Sequence, residues 1–168
     1  MKKGILHISF CILGLLFTSA ISAQATATAT ASATIVTPIS ISNTADMNFG
    51  NIATNGLVGT VVLTPESTRT FTGGVTLPAA TGTVTAAAFT VTGSGSYTYA
   101  ITLPTSVTIT SGSDSMIVNS FTSTPSSTGI LTAGTQDITV GATLNLVASQ
   151  APGDYTSAAP FAVTVNYN

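Results

Sequence analysis

The sequence predicts an all-β sandwich, and three observations predict it. Thr, Ser, Gly, Ala and Val dominate the chain; Thr and Val favour a pleated, half-buried surface, and Gly and Pro punctuate it. No window places apolar residues at helical spacing with capping chemistry, and so much Thr and Gly would weaken any helix. Short runs with apolar residues at every second position recur instead, with turn residues between them.

The first 23 residues read as a secretory signal peptide. Lys2 and Lys3 form its basic start, the apolar run includes Ile5, Leu6, Phe10, Leu13, Leu16 and Phe17, and small residues lead to expected cleavage after Ala23. The run is short for a membrane span and has no stop-transfer flank, so no span is expected after signal removal. The chain is therefore expected to be exported.

Removing that peptide takes Lys2, Lys3, His7 and Cys11 with it. Arg69 is then the one cation, against the carboxylates Asp46, Glu66, Asp114, Asp137 and Asp154. Without His, Cys, Lys or Trp there is no disulfide, no zinc or redox site from the usual ligands, and no base to activate a serine. The carboxylates stand singly: Asp114 between serines and Asp154 beside Gly153 are turn chemistry, and Asp46-Met47-Asn48 supplies too few oxygens for calcium. A weakly negative chain also lacks the basic stripe that nucleic acid requires. The expectation is a non-enzyme with no catalytic, cofactor-binding or metal residues.

Taken in order, the strand signals begin at residues 47–53, which end at Asn55-Gly56, a dipeptide suited to a type I′ turn. Leu57, Val61 and Leu63 share the next face; residues 65–68 turn the chain, and residues 69–71 lead into Gly73-Gly74 and then residues 75–77. Residues 84–92 carry Phe89 and Val91. After the turn Gly93-Ser94-Gly95-Ser96, Tyr97, Tyr99, Ile101 and Leu103 alternate with polar or small residues, and a hairpin of these two strands is expected. Residues 107–110, a Gly-Ser-Asp turn, and residues 116–121 follow. Short strands are expected at 131–134, 136–140 and 142–146, and a last one carries Phe161, Val163, Val165 and Tyr167 on one face. Eight or nine strands of this kind suit an immunoglobulin-like β-sandwich. Tyr97 and Tyr99 are expected in core or inter-strand packing.

Residues 25–41 stand apart. Ala29, Ala31, Ala33, Ile35, Ile39 and Ile41 occupy alternate positions, with Thr and Ser filling most of the others. An extended chain of this kind has one apolar and one hydroxyl edge, and its length is roughly 55 Å. No turn joins it to a partner, so the partner is expected in another copy of the protein; the alternative is a flexible Thr/Ala linker that never orders. Ile35, Ile39 and Ile41 would dominate the burial, and Pro38, which cannot donate to a ladder, would separate the segment from the domain's own first strand. The expected organisation is residues 1–23 signal peptide, 24–43 extension, and 44–168 sandwich.

Six segments carry a family resemblance: Met47-Asn48-Phe49-Gly50-Asn51-Ile52, Thr70-Phe71-Thr72-Gly73-Gly74-Val75, Phe89-Thr90-Val91-Thr92-Gly93, Ile130-Leu131-Thr132-Ala133-Gly134-Thr135, Val140-Gly141-Ala142-Thr143-Leu144, and Gly153-Asp154-Tyr155 with the ending Val163-Thr164-Val165-Asn166-Tyr167. In this order they resemble an uncharacterised bacterial secreted domain family related to spore coat protein U and archaic chaperone–usher pilins. The resemblance implies an incomplete sandwich. A periplasmic chaperone would lend a strand, and the N-terminal extension of the next subunit would replace it at an outer-membrane usher. It further implies that Ala29, Ala31, Ala33, Ile35, Ile39 and Ile41 form the donor strand and that Phe161, Val163, Val165 and Tyr167 line the groove. This chain departs from the better-known pilins in lacking the disulfide and in having a mostly Ala donor edge.

The function expected is a structural subunit of a pilus- or fimbria-like surface fibre, a shaft rather than a tip, supporting adhesion or biofilm. The alternatives are a monomeric secreted binding module, for carbohydrate for instance, and a coat or surface-layer protein with a closed sandwich.

Overall fold

Residues 23–168, described by a computed structural model, contain strands and no helix; the rest of the expected signal peptide lies outside the described residues. None of them forms a helix long and apolar enough to cross a membrane. The chain divides into a unit ending at Thr34 and a unit spanning Ile35–Asn168. Residues 23–34 of the first are exposed and carry no strand.

The second unit is all-β. Its strands are β1 (Ser40–Ala45), β2 (Ala53–Leu63), β3 (Arg69–Thr76), β4 (Ala87–Thr92), β5 (Thr98–Thr102) and β6 (Ser106–Ser111). They continue with β7 (Asp114–Thr124), β8 (Thr128–Ile130), β9 (Thr135–Leu146), β10 (Thr156–Ser157) and β11 (Thr164–Tyr167). A large antiparallel sheet runs in the order β1-β4-β9-β7-β6-β10, and a small one runs β11-β5-β8. The central strand β9 pairs β4 through residues 135–140 and β2 through residues 142–146 on one edge, and β7 on the other. In an immunoglobulin sandwich one sheet is ordered A-B-E-D and the other contains C, F and G. Strands β1-β4-β9-β7 reproduce the first order, and β5 and β11 stand in the places of C and F.

Alternation buries one face of each strand. Phe89 and Val91 of β4, Ile138 and Val140 of β9, Tyr99 and Ile101 of β5, and Val163 and Val165 at β11 form one core cluster. Val61, Val75, Met116, Val118, Ala142, Leu144 and Leu146 form another, and Met47 and Phe121 pack against both. Tyr99 is wholly buried; its hydroxyl donates to Gln136 Oε1 at 2.7 Å, and burial pushes the phenol pKa up. Tyr97, expected in core or inter-strand packing, is 48% exposed and lies against the Tyr167 ring of β11.

Several elements differ from the sequence expectation. β4 and β5 do not form a hairpin: β4 pairs β1 and β9, and β5 pairs β11 and β8. Their apolar faces meet across the core, because the 93–97 connection crosses between sheets, held by Gly93 N–H to Gly134 O at 2.9 Å and Leu131 N–H to Tyr97 O at 3.0 Å. Asn55-Gly56 is not a hairpin turn but sits inside β2, where the register with β3 shifts between Thr54 and Gly59; the φ of +88° at Gly56 accommodates the irregularity. Of the strand expected at residues 47–53, residues 47–52 contribute only an isolated bridge, Asn48 to Thr85, and Ala53 opens β2. The short strands expected on either side of Gly141 are one strand, β9, since β9 passes directly under the backbone of residues 63–65 and only a residue without Cβ fits there. Strand β1 crosses the expected boundary between residues 43 and 44.

Candidate functional site at the free edge of the small sheet

The site is built on β11. Val163 and Val165 turn inward and are buried, Phe161 and Tyr167 are half-buried on the same side, and Ala162, Thr164 and Asn166 are exposed. One edge of β11 pairs β5, from Thr164 opposite Thr102 to Tyr167 opposite Tyr99. Among the described residues no strand pairs its other edge. That edge is where strand G of an immunoglobulin sandwich lies beside F. An unpaired edge of this kind presents backbone donors and acceptors to any chain that can extend alongside it.

Residues 37–41 come close to this place. Ile39 and Ile41 pack against the cluster that holds Val163 and Val165, and β1 lies beside β11. The Tyr167 hydroxyl fixes the corner: it accepts from Ser94 N–H at 2.6 Å and donates to Thr37 O at 2.9 Å. The structure therefore brings Ile39 and Ile41 together with Phe161, Val163, Val165 and Tyr167, within one copy. Ile35 is 97% exposed, and Ala29, Ala31 and Ala33 are exposed and outside any strand. The first strand starts two residues after Pro38, where the ladder begins with Ser40 opposite Thr92.

At the other end of the edge the protein opens. Phe161 packs edge-on to Phe89 at 6.4 Å between ring centroids and tilted against Phe121 at 5.2 Å. Beyond this trio an open cleft of about 1350 Å³ runs over the inner face of the large sheet, past Val107, Ile109 and Met116. Phe121 reaches the junction through a bulge. Met116 and Val118 point inward, but the β7–β9 register shifts between Asn119 and Thr122, Ser120 adopts a φ of +50°, and beyond it Phe121 and Ser123 take the inward positions. Sequence alternation gives no sign of such a shift, so these cleft residues were not among the expected site residues.

Of the charged groups, Asp46 and Asp154 line the cleft. The Arg69 guanidinium donates to the carbonyls of Phe49 and Asn51, the latter at 3.0 Å, and so ties down the chain ahead of β2. Among the described residues, no three His, Cys, Asp or Glu side chains gather in a metal-binding arrangement. What this site offers a partner is backbone pairing and apolar burial.

The family model described as "Domain of unknown function (DUF4402)" matches residues 39–167. The chain belongs to this family. The match begins one residue before β1 and ends with the last residue of β11, so the DUF4402 domain takes in Phe161, Val163, Val165 and Tyr167, along with Ile39 and Ile41. Ala29, Ala31, Ala33 and Ile35 precede it. No curated protein and no solved structure matches this DUF4402 chain.

Proposed function

We propose that this DUF4402 protein is a structural subunit of a secreted surface fibre, in which residues 24–36 of one copy add a strand to the free edge of β11 in the next. The observation that carries this reading is the place of strand G, left without a strand beside an inward row of Val163 and Val165. Strand addition draws affinity from ladder hydrogen bonds and specificity from alternate side chains, and residues 25–35 alternate throughout. Each new hydrogen bond contributes roughly 0.5–1.5 kcal/mol and a buried Ile roughly 1.5–3 kcal/mol, so a short strand forms a durable joint only if both terms act together.

The same unpaired edge would aggregate in transit, which calls for a periplasmic chaperone to cover it and an outer-membrane usher to release it. The assembled fibre would present a hydroxyl-rich, nearly neutral surface suited to adhesion or biofilm support. The experiment is a denaturing gel of the exported protein with and without boiling, comparing the full chain with a version lacking residues 24–36. The expected result is a ladder that appears only unboiled and only with the extension. A single monomer band in both would overturn the reading and favour a monomeric binding module, for which the mixed polar and apolar cleft beyond Phe161 would be the site.

A further inference from the structure

The Ala-Thr run does not define its own register. Residues 25–33 repeat so closely that a slide of two positions returns the same side chains to the same faces, and strand pairing is weakly specified wherever the pattern is that uniform. Ile35 breaks the uniformity. It is the one large apolar residue between the repeat and Pro38 on the alternating face, and it is 97% exposed.

The two ends of the acceptor edge differ in the space they offer. At the Tyr167 end the protein is filled: Tyr97 lies on the Tyr167 ring at 5.6 Å, and a Cβ added at Gly93 would fall 2.2 Å from Tyr167 Oη and 2.9 Å from Leu131 Cδ1. At the Phe161 end the edge runs on into the 1350 Å³ cleft beside Phe89 and Phe121. Open space for a branched side chain lies at the second end, and a small residue such as Ala suits the more crowded first end.

Resting on the strand-exchange reading, we infer that Ile35 of a second copy is the register pin of the joint, seated against Phe161 at the mouth of the cleft. The incoming strand then runs antiparallel to β11, as a strand in G's place in an antiparallel sheet does. Ile35 lies opposite Phe161, Ala33 opposite Val163, Ala31 opposite Val165 and Ala29 opposite Tyr167. The outward face pairs Thr34 with Ala162, Ser32 with Thr164 and Thr30 with Asn166, all of them exposed in the single copy. A parallel strand occupying the same edge would carry Ile35 to Tyr167 and Thr34 to Asn166. Four residues then separate Ile35 from Ser40, so consecutive domains are joined by a short link stiffened by Pro38.

The test uses the full chain with its one cysteine, Cys11, replaced by Ser, exported as two co-expressed variants of which one is tagged. One variant carries Thr34→Cys; the other carries Ala162→Cys, Thr164→Cys or Asn166→Cys, and mixed disulfide dimers are read on a non-reducing gel after mild oxidation. The mixed dimer is expected with Ala162→Cys over Asn166→Cys by roughly tenfold, the ratio implied by burying or not burying one Ile. Adding Ile35→Ala to the Thr34→Cys copy should erase the preference for Ala162→Cys and raise cross-linking at Thr164→Cys, as the repeat slides. A preference for Asn166→Cys, or no preference among the three, with the unboiled ladder intact would overturn the pin and leave the fibre reading standing. Loss of the unboiled ladder from the parent chain itself would overturn both.

Discussion

Replacing Val165 with Asp should destabilise the subunit by about 3–5 kcal/mol at neutral pH and abolish the unboiled ladder. Val165 is 7% exposed and packs in the cluster of Tyr99, Ile101, Leu131 and Ile138, with no polar side chain in that cluster able to compensate a carboxylate beyond the already committed Tyr99 hydroxyl. Burial would push the new carboxyl's pKa up. The unfolded chain ionises this group from about pH 4, whereas the folded chain resists, so below pH 4 only the cost of burying a neutral carboxyl remains, and an ionisation penalty adds to it as pH rises towards the folded-state value. Denaturant unfolding at pH 4 and pH 7 separates this effect from a packing defect, which would be the same at both. Thr164→Asp, one residue away on the exposed face, should leave stability within about 0.5 kcal/mol.

Leu144→Ala should have an effect of similar size by another route. Leu144 lies in the middle of β9, is 2% exposed, and packs in the cluster of Val61, Met116, Val118 and Leu146. Truncation removes buried apolar volume next to an existing cleft, and the sheet on which it sits, paired on both edges at this residue, cannot collapse to fill the space. The expected cost is about 2–5 kcal/mol, which in a domain of this length lowers the Tm by roughly 10 °C or more. Leu57→Ala is the natural comparison: Leu57 is 62% exposed, and its loss should cost no more than about 0.5 kcal/mol. Both are best measured in the version lacking residues 24–36, where polymerisation does not mask unfolding.

The class of the fold was legible because period-two burial is a property of each strand by itself. Tyr99 and Ile101, or Ile138 and Val140, announce an inward face whatever they pair with. Pairing was less legible, because it depends on what lies across the core. The 93–97 connection reads as a tight turn, yet it carries the chain from one sheet to the other, and nothing in Gly93-Ser94-Gly95-Ser96 distinguishes the two uses. Glycines misled in the same way: Gly141 reads as a break in a strand, but it is there for a backbone crossing at Leu63 that only the folded chain contains.

The candidate site divides along the same line. Phe161, Val163, Val165 and Tyr167 could be read from alternation alone, and so could the apolar edge of the extension. That Ile39 and Ile41 pack within their own domain follows from where the β1 ladder with β4 begins, a long-range pairing invisible to local pattern. Phe121 and the cleft could not be read at all, since the shift at Ser120 moves the inward face of β7 from even to odd positions.

The most direct test of the account is whether the free edge of β11 accepts the extension as a separate molecule. A subunit lacking residues 24–36 is titrated with a synthetic peptide of those residues while its Tm is followed. A ligand at a hundred times its Kd stabilises the folded state by about 2.7 kcal/mol, so the account predicts a saturable rise in Tm, absent with a scrambled peptide that loses the alternation. An unchanged Tm at saturating peptide would contradict it.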